Sequence, residues 1–547
     1  MPKSPCTPSG SPRVRFHFEP LESRQLLSWG AVPQLIHQDV AAQLYPQITG
    51  QGEVVVDIDS GVDFSHPSLT GQLWTNPGEV PGNNLDDDHN GFIDDTQGWD
   101  FFRGNNNPTD EVGHGTQTSG IMAALPWTYT ADGNDYQGIA PGAKVLPLKI
   151  SVPVNSSAEF DRHVGQALDY TLWLVQHHPE YHIVAVNLSV GAFSQATFQQ
   201  YEQKAVDALH DAGVFVAASA GNTGSLDSVI YPAADPKVFA IGGVNPDGVL
   251  TTFTNRGPQI ALLAPGNAVP ILQAGSTYVT GGDGTSYAAP FVAGAAVLIK
   301  QVNPDLSPDA IMSVLQRSGV DTFDATSNRT YKRLDLAAAI GLATQEFNAP
   351  KPFTGTAVSI PGTIQAENFD KGAEGFAYHD TEPTNLGGKY RNTGVDIEKC
   401  GEGGFDVTQT QAGEWLYYTV NVTKAGIYDL GARVASKFAG GVFHVEADGG
   451  DVTGSLSVPR TGSWQKYKTV TRRGIALNAG VHLLRLAMDV NGGTGMVGNF
   501  NSLVFTRSRL KAPRLAASSS TITPIVPKSI PVAGKTSLVR NWLRSFA

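Results

Sequence analysis

A chain of 547 residues is longer than one hydrophobic core usually serves, which predicts two or three domains. Apolar residues make up 41% and no run reaches the ~18 apolar residues of a membrane helix, so the chain reads as globular and non-spanning. A net charge of −12, from 50 acids against 38 bases, argues against nucleic acid as the main partner and suits a protein that holds divalent cations.

Residues 1–28 are polar, contain proline and lack the apolar centre of an ordinary secretion signal, so they read as a disordered leader. Within them "FEPLESRQLLS" resembles a short signature near the N-termini of exported planctomycete proteins, which implies a secreted or cell-surface location. Cys6 and Cys400 are the two cysteines, and they set no disulfide framework. From 29 to 345, apolar runs alternate with helical patterns. Strands are expected within 52–61, 144–151, 182–191, 213–222 and 238–244, and helices over 157–178 and 194–212. The strand runs are β-branched, continuous and stopped by small residues, as in parallel sheets covered on both faces. The alternation predicts a doubly wound α/β domain with a mainly parallel sheet, whose sites gather beyond the carboxyl ends of the strands. A linker over 346–356 follows. Short alternating runs separated by glycine turns then predict an all-β sandwich over 357–508, and 509–547 is a low-complexity tail.

Four short motifs carry the chemistry. "VVVDIDSGVD" ends an apolar strand in Asp59-Ser60-Gly61. The carboxylate sits where it can orient a histidine, although Asp-Ser-Gly is also an ordinary turn. "GHGTQTSGIMAAL" sets His114 between glycines at the start of a small-residue helix, as an accessible base or as a cap. "VAASAGNTG" places Asn222 in a glycine turn, as an amide aimed at an oxyanion or as a turn residue. "GGDGTSYAAPFVAGAAVLI" puts Ser286 at the mouth of a helix. Free N–H groups there favour a developing negative charge, and serine is also a common cap there.

Together, in the order Asp59, His114, Asn222, Ser286, these motifs resemble the subtilisin-like serine proteases. "GIAPGAKVLPLKI", "NLSVG", "YPAADPKVFAIGGV" and "LLAPG" add matches across 29–345. The resemblance implies a Ser-His-Asp triad of Ser286, His114 and Asp59, with Asn222 as oxyanion donor. It implies a substrate-pairing edge at Ser189, Val190 and Gly191, and a pocket wall at Ala218, Ser219 and Ala220. Peptides or proteins would be the substrates, and no cofactor is needed for the chemistry. Gln117 and Tyr287 depart from the histidine and methionine usual at those places.

"NNLDDDHNGFIDDTQGWD" reads as a calcium loop, because clustered carboxylates repel unless a cation sits among them. Asp86, Asp88 and Asn90 take the first, third and fifth places of an EF-hand-type loop. Gly91 gives the turn, Phe92 offers its carbonyl and Asp94 falls ninth; Gln97 at the twelfth place removes a bidentate ligand. In the second domain, "TIQAENFD", "GGFDVTQTQAGEWLYYTVNV", "TGSWQKYKTV" and "GNFNSLVFT" resemble family 6 carbohydrate-binding modules. That resemblance implies structural calcium at Gln365 and Glu367, and sugar contacts from Trp464 and Asn499. Gln409 stands where the second stacking aromatic is usual. The expected activity is that of a secreted serine endopeptidase with a β-sandwich that binds carbohydrate or steadies the enzyme. The alternative is a catalytically inactive, protease-like glycan-binding surface protein.

Overall fold

The computed structural model describes residues 29–150, 157–191, 194–273, 275 and 277–509. The expected leader with its export-type signature, and the tail from 510 onward, lie outside the described residues. Contacts divide the chain into two compact units between Ala349 and Pro350.

In the first unit, the continuous apolar runs become a nine-stranded sheet. Its strands are β1 (Val54–Asp59), β2 (Trp99–Asp100), β3 (Lys144–Lys149), β4 (Ile183–Leu188), β5 (Phe215–Ser219), β6 (Phe239–Val244), β7 (Ile260–Pro265), β8 (Val320–Asp324) and β9 (Arg329–Arg333). The spatial order is β8-β9-β7-β6-β5-β4-β1-β3-β2. Every pairing is parallel except the β8–β9 hairpin at one edge. All residues of β1, β4, β5 and β6 are buried, because helices cover both faces. On one face Val55, Val145, Ala185, Ala217 and Ile241 pack with Met122 and with Ala288–Ile299. On the other, Val54, Val56, Ile58, Leu146 and Val186 pack with Phe160, Val164 and Leu168.

Three helices matter for the site: α1 (His114–Ala123), α2 (Ser157–His177) and α3 (Thr285–Val302). Alternation along β1 points Val55, Asp57 and Asp59 to the α1 and α3 side and their neighbours to the other. The helical pattern at 194–212 resolves into Gln195–Tyr201 and Gln203–Asp211, interrupted at Glu202. Helix Leu336–Asn348 takes the first residues of the expected linker, and Lys351 exchanges backbone hydrogen bonds with Lys371 at 2.8 Å.

The second unit is a sandwich of a seven-stranded and a six-stranded sheet, antiparallel but for the Val358–Ile360 and Trp415–Val422 pair. Tyr418 and Val420 from one sheet meet Leu430, Val434, Phe500 and Phe505 from the other in one core.

Candidate active site

β1 ends at Asp59, on the carboxyl edge of the sheet, and α1 begins there with His114. The close approach of these two elements requires glycine. A Cβ on Gly115 would lie 2.1 Å from the Gly61 carbonyl oxygen and 3.2 Å from the Asp59 Cβ. The start of α1 is fixed by Asp110, whose carboxylate accepts from the backbone N–H groups of Val112, Gly113 and Thr116 and from the Thr116 hydroxyl. Ser60 Oγ donates to Asp110 at 2.9 Å and accepts from the Gly115 N–H at 2.9 Å. Caps of this kind are worth about 0.5–2 kcal/mol. Sequence reading missed Asp110; a carboxylate a few residues ahead of a helix start was the available signal.

The result is a paired Asp59 and His114. His114 Nδ1 lies 2.8 Å from Asp59 Oδ1 and 2.9 Å from Oδ2. An ionised carboxylate only accepts, so in the neutral ring Nδ1 carries the proton and Nε2 keeps its lone pair. Asp59 is buried at 2% exposure, whereas the His114 side chain is 29% exposed and reaches the cleft. The Asp59 charge pushes the His114 pKa up to about 9 against the opposing effect of burial, with Asp57 and Asp110 adding to the rise.

Ser286 is the second residue of α3, next to a turn held by Asn222. Asn222 Oδ1 accepts from the Thr285 N–H at 2.8 Å and from the Thr285 hydroxyl at 2.9 Å. The amide nitrogen therefore faces the other way. A Cβ on Gly284 would sit 3.4 Å from Asn222 Nδ2 and 3.7 Å from Ser286 N, so two N–H groups border one small space. Ser286 Oγ makes no hydrogen bond to His114 among the described residues; the ring centroid of Tyr287, the next residue, lies 5.5 Å from that of His114.

Ser189, Val190 and Gly191 follow the end of β4, beside Ala218, Ser219 and Ala220 at the end of β5. Ser219 Oγ donates to the Val190 carbonyl at 3.3 Å and joins the two segments. The side chains of these segments turn into the domain. Ala218 and Ala220 are wholly buried and pack in the core under the sheet. Ser189 Oγ turns inward to donate to the Ser286 carbonyl at 2.6 Å. Ser219 is itself buried, and Val190 and Gly191 are the part-exposed members of the two segments.

In the acidic loop the expected Asp86 and Asp88 come together with a third carboxylate. The carboxylates that converge are Glu79, Asp86 and Asp88, whose oxygens lie within 4.8 Å of one another. Glu79 comes from upstream of the loop, beyond the reach of a spacing argument. Asp94 is turned away and accepts from the N–H groups of Gly82, Asn83 and Asn84. Asn90 is spent on Asp88 and Asp95 through its amide nitrogen. The ring of Phe92 packs among Trp99, Phe101 and Tyr170.

In the second unit, Asn499 does not face solvent as a sugar ligand would. It is 1% exposed, its amide donates to Glu398, Asp406 and the Trp464 carbonyl, and its oxygen accepts from Thr408. Trp464 is half-buried. Gln365 is exposed, and Glu367 is buried with Oε2 unpartnered among the described residues. Asp406, absent from the sequence reading, likewise has a buried, unpartnered Oδ1. Unpaired buried carboxylate oxygens fit a hard cation.

A mainly parallel sheet that brings an aspartate and a histidine together at its carboxyl edge, with a serine at the mouth of a following helix, defines the subtilisin-like class of domain. The chain belongs to the Subtilase family, whose profile matches residues 50–332. The profile of Carbohydrate binding module (family 6) matches residues 389–507. Bacillopeptidase F of Bacillus subtilis (strain 168) is 31% identical over 296 residues, 51% of this chain and 19% of that protein. Subtilisin E of the same strain is 30% identical over 279 residues, 50% of this chain and 62% of that protein. The chain thus spans less than two thirds of the length of these relatives. Subtilisin of Bacillus pumilus is 30% identical over 279 residues, which cover 86% of it. A solved structure, "Crystal structure of a cold adapted subtilisin-like serine proteinase", aligns with a TM-score of 0.40 and 22% identity over 52% of this chain and 89% of that one.

Proposed function

We propose that this chain is a secreted serine endopeptidase that hydrolyses peptide bonds through an acyl-enzyme. Ser286 Oγ attacks the peptide carbonyl carbon while its proton passes to His114 Nε2. The oxyanion accepts hydrogen bonds from Asn222 Nδ2 and the Ser286 N–H. Collapse expels the amine, which takes the proton from Nε2, and water repeats the sequence to free the acid. Asp59 keeps the imidazole in the required tautomer and stabilises its cation. Proton transfer requires Oγ and Nε2 at hydrogen-bond distance, a contact that commonly tightens only when substrate is bound. Substrate backbone pairs with the main chain of Ser189–Gly191, and the region of Ser219 borders its side chain.

The observation that carries this reading is the Asp59–His114 pair at 2.8 Å, in a domain where the Asn222 amide nitrogen and the Ser286 N–H border one small space. The intact set favours an enzyme over an inactive scaffold. Secretion is consistent with the absence of any described helix long and apolar enough to cross a membrane. Calcium is proposed at Glu79, Asp86 and Asp88, and a second ion at Glu367 and Asp406; both serve stability and take no part in the chemistry. The sandwich holds carbohydrate or steadies the protease.

Casein hydrolysis by the chain and by Ser286→Ala tests the proposal. Activity that vanishes in the variant supports it. Equal hydrolysis by both proteins would remove Ser286 as nucleophile.

A further inference from the structure

Asp57 stands two residues before Asp59 on the same face of β1, and the mechanism above does not use it. It is 2% exposed, yet three donors converge on its carboxylate. Thr118 Oγ1 donates to Oδ2 at 2.8 Å and Ser119 Oγ donates to Oδ2 at 2.7 Å. Both belong to α1, one turn after His114. Asn187 Nδ2, on β4, donates to Oδ1 at 2.9 Å. The same Asn187 amide donates to Ser189 Oγ at 3.0 Å, and Ser189 Oγ donates to the Ser286 carbonyl at 2.6 Å. A continuous path of hydrogen bonds therefore runs from the His114 helix through Asp57 to the first turn of the Ser286 helix.

A carboxylate suits this junction because its two oxygens accept from several donors at once. An aliphatic residue here would leave the Asn187 amide and two hydroxyls buried without that acceptor, a costly state. Burial of the carboxylate near a second one is itself unfavourable: desolvation first, and then the Asp59 charge, push the Asp57 pKa well above the usual carboxylate range. Such an arrangement is retained against its cost where it does something other than fill the core.

We propose that Asp57 is a positioning residue of the hydrolytic site. It ties the strand of Asp59 to the helix of His114 and, through Asn187 and Ser189, to the helix of Ser286, and its negative charge supports the imidazolium that forms at His114. The inference rests on the proposed protease reading. The other groups that face this imidazole are Asp59 on β1, Asp110 ahead of α1 and Tyr287 on α3. Lys149 on β3 is engaged by Asp100, Glu111 and the Thr109 carbonyl.

The test substitutes Asp57→Asn, which keeps the shape and removes the charge, and Thr118→Val, which keeps the charge and removes one tether. Titration of His114 by NMR in a Ser286→Ala background, assigned by its loss in His114→Gln, reads the coupling without turnover. Asp57→Asn is expected to lower the His114 pKa by about 1 unit and Thr118→Val to leave it nearly unchanged. In the active protein, Asp57→Asn moves the acid limb of kcat/KM to lower pH and cuts the plateau kcat about tenfold with KM little changed. A His114 titration unmoved in a folded Asp57→Asn protein overturns the proposal. A chain that cleaves no peptide counts against the protease reading alone, because the titration still reads Asp57.

Discussion

The Tyr287 hydroxyl donates to Gln117 Oε1 at 2.8 Å, and the tyrosine ring lies against His114. These are the two positions at which the sequence departs from the pattern it otherwise resembles, and the structure joins them. With His114 as the proposed proton donor to the leaving amine, the pair is expected on the leaving-group side of the cleft. Tyr287→Phe is expected to lower kcat by about fivefold, near the 1 kcal/mol of one hydrogen bond, with KM close to unchanged. Tyr287→Ala is expected to broaden acceptance after the scissile bond. Steady-state kinetics on peptides varied at that position check both outcomes.

The base works when His114 is neutral. Its pKa is raised to about 9, chiefly by Asp59, so kcat/KM is expected to climb with pH and level off above that value. The sign for stability is opposite. A histidine whose folded pKa exceeds its unfolded value contributes stability fully below about 6.5, and loses it as pH rises through about 9. Asp59→Asn is expected to remove both effects and to cut kcat about 10⁴-fold, and Asn222→Ala to cut it about 10²–10³-fold. A pH–rate profile with melting temperatures at matching pH tests the set.

The cluster of Glu79, Asp86 and Asp88 predicts a melting temperature that rises with added calcium and falls on chelation. Glu79→Gln is expected to blunt that dependence more than Asp94→Asn, because Glu79 belongs to the converging carboxylates and Asp94 does not. Calorimetric titration of the chain with calcium measures the difference directly.

Glu202, between two short helices, is 1% exposed and its carboxylate oxygens lack partners among the described residues. Burial, with Asp161 adding, raises its pKa to about 9. The folded chain therefore holds this proton more tightly than the unfolded chain. Stability from this group falls as pH rises between the ordinary carboxylate range and about 9. Glu202→Gln is expected to be near neutral at pH ~5 and to stabilise by about 1–3 kcal/mol at pH ~8.5, as denaturant titrations at the two pH values would reveal.

Much of the fold was legible in the sequence because Asp59 ends a strand and His114 and Ser286 open helices, all at glycine-marked boundaries. The continuous β-branched runs marked β1, β3, β4, β5 and β6, and the small residues after them marked the sheet edge that holds Asp59 and Asn222. Other parts resisted for physical reasons. Strand Lys468–Leu477 presents mostly exposed polar residues, so its pattern resembles a loop. The β8–β9 hairpin is half-exposed and carries charges on both strands. The spacing of Asp86, Asp88 and Asn90 suggested a self-contained ion loop, but the same spacing lets both carboxylates accept from the Asn90 N–H. Glu79, Asp110 and Asp57 act through partners that only the fold brings near.

The proposed hydrolysis requires Ser286 to be an activated nucleophile. Labelling with a fluorophosphonate, located by peptide mass, tests it most directly. One adduct on Ser286 is expected, formed in the intact chain and slowed by orders of magnitude in His114→Ala. No adduct on Ser286 in a folded, unsubstituted chain, or equal labelling without the imidazole, would contradict it.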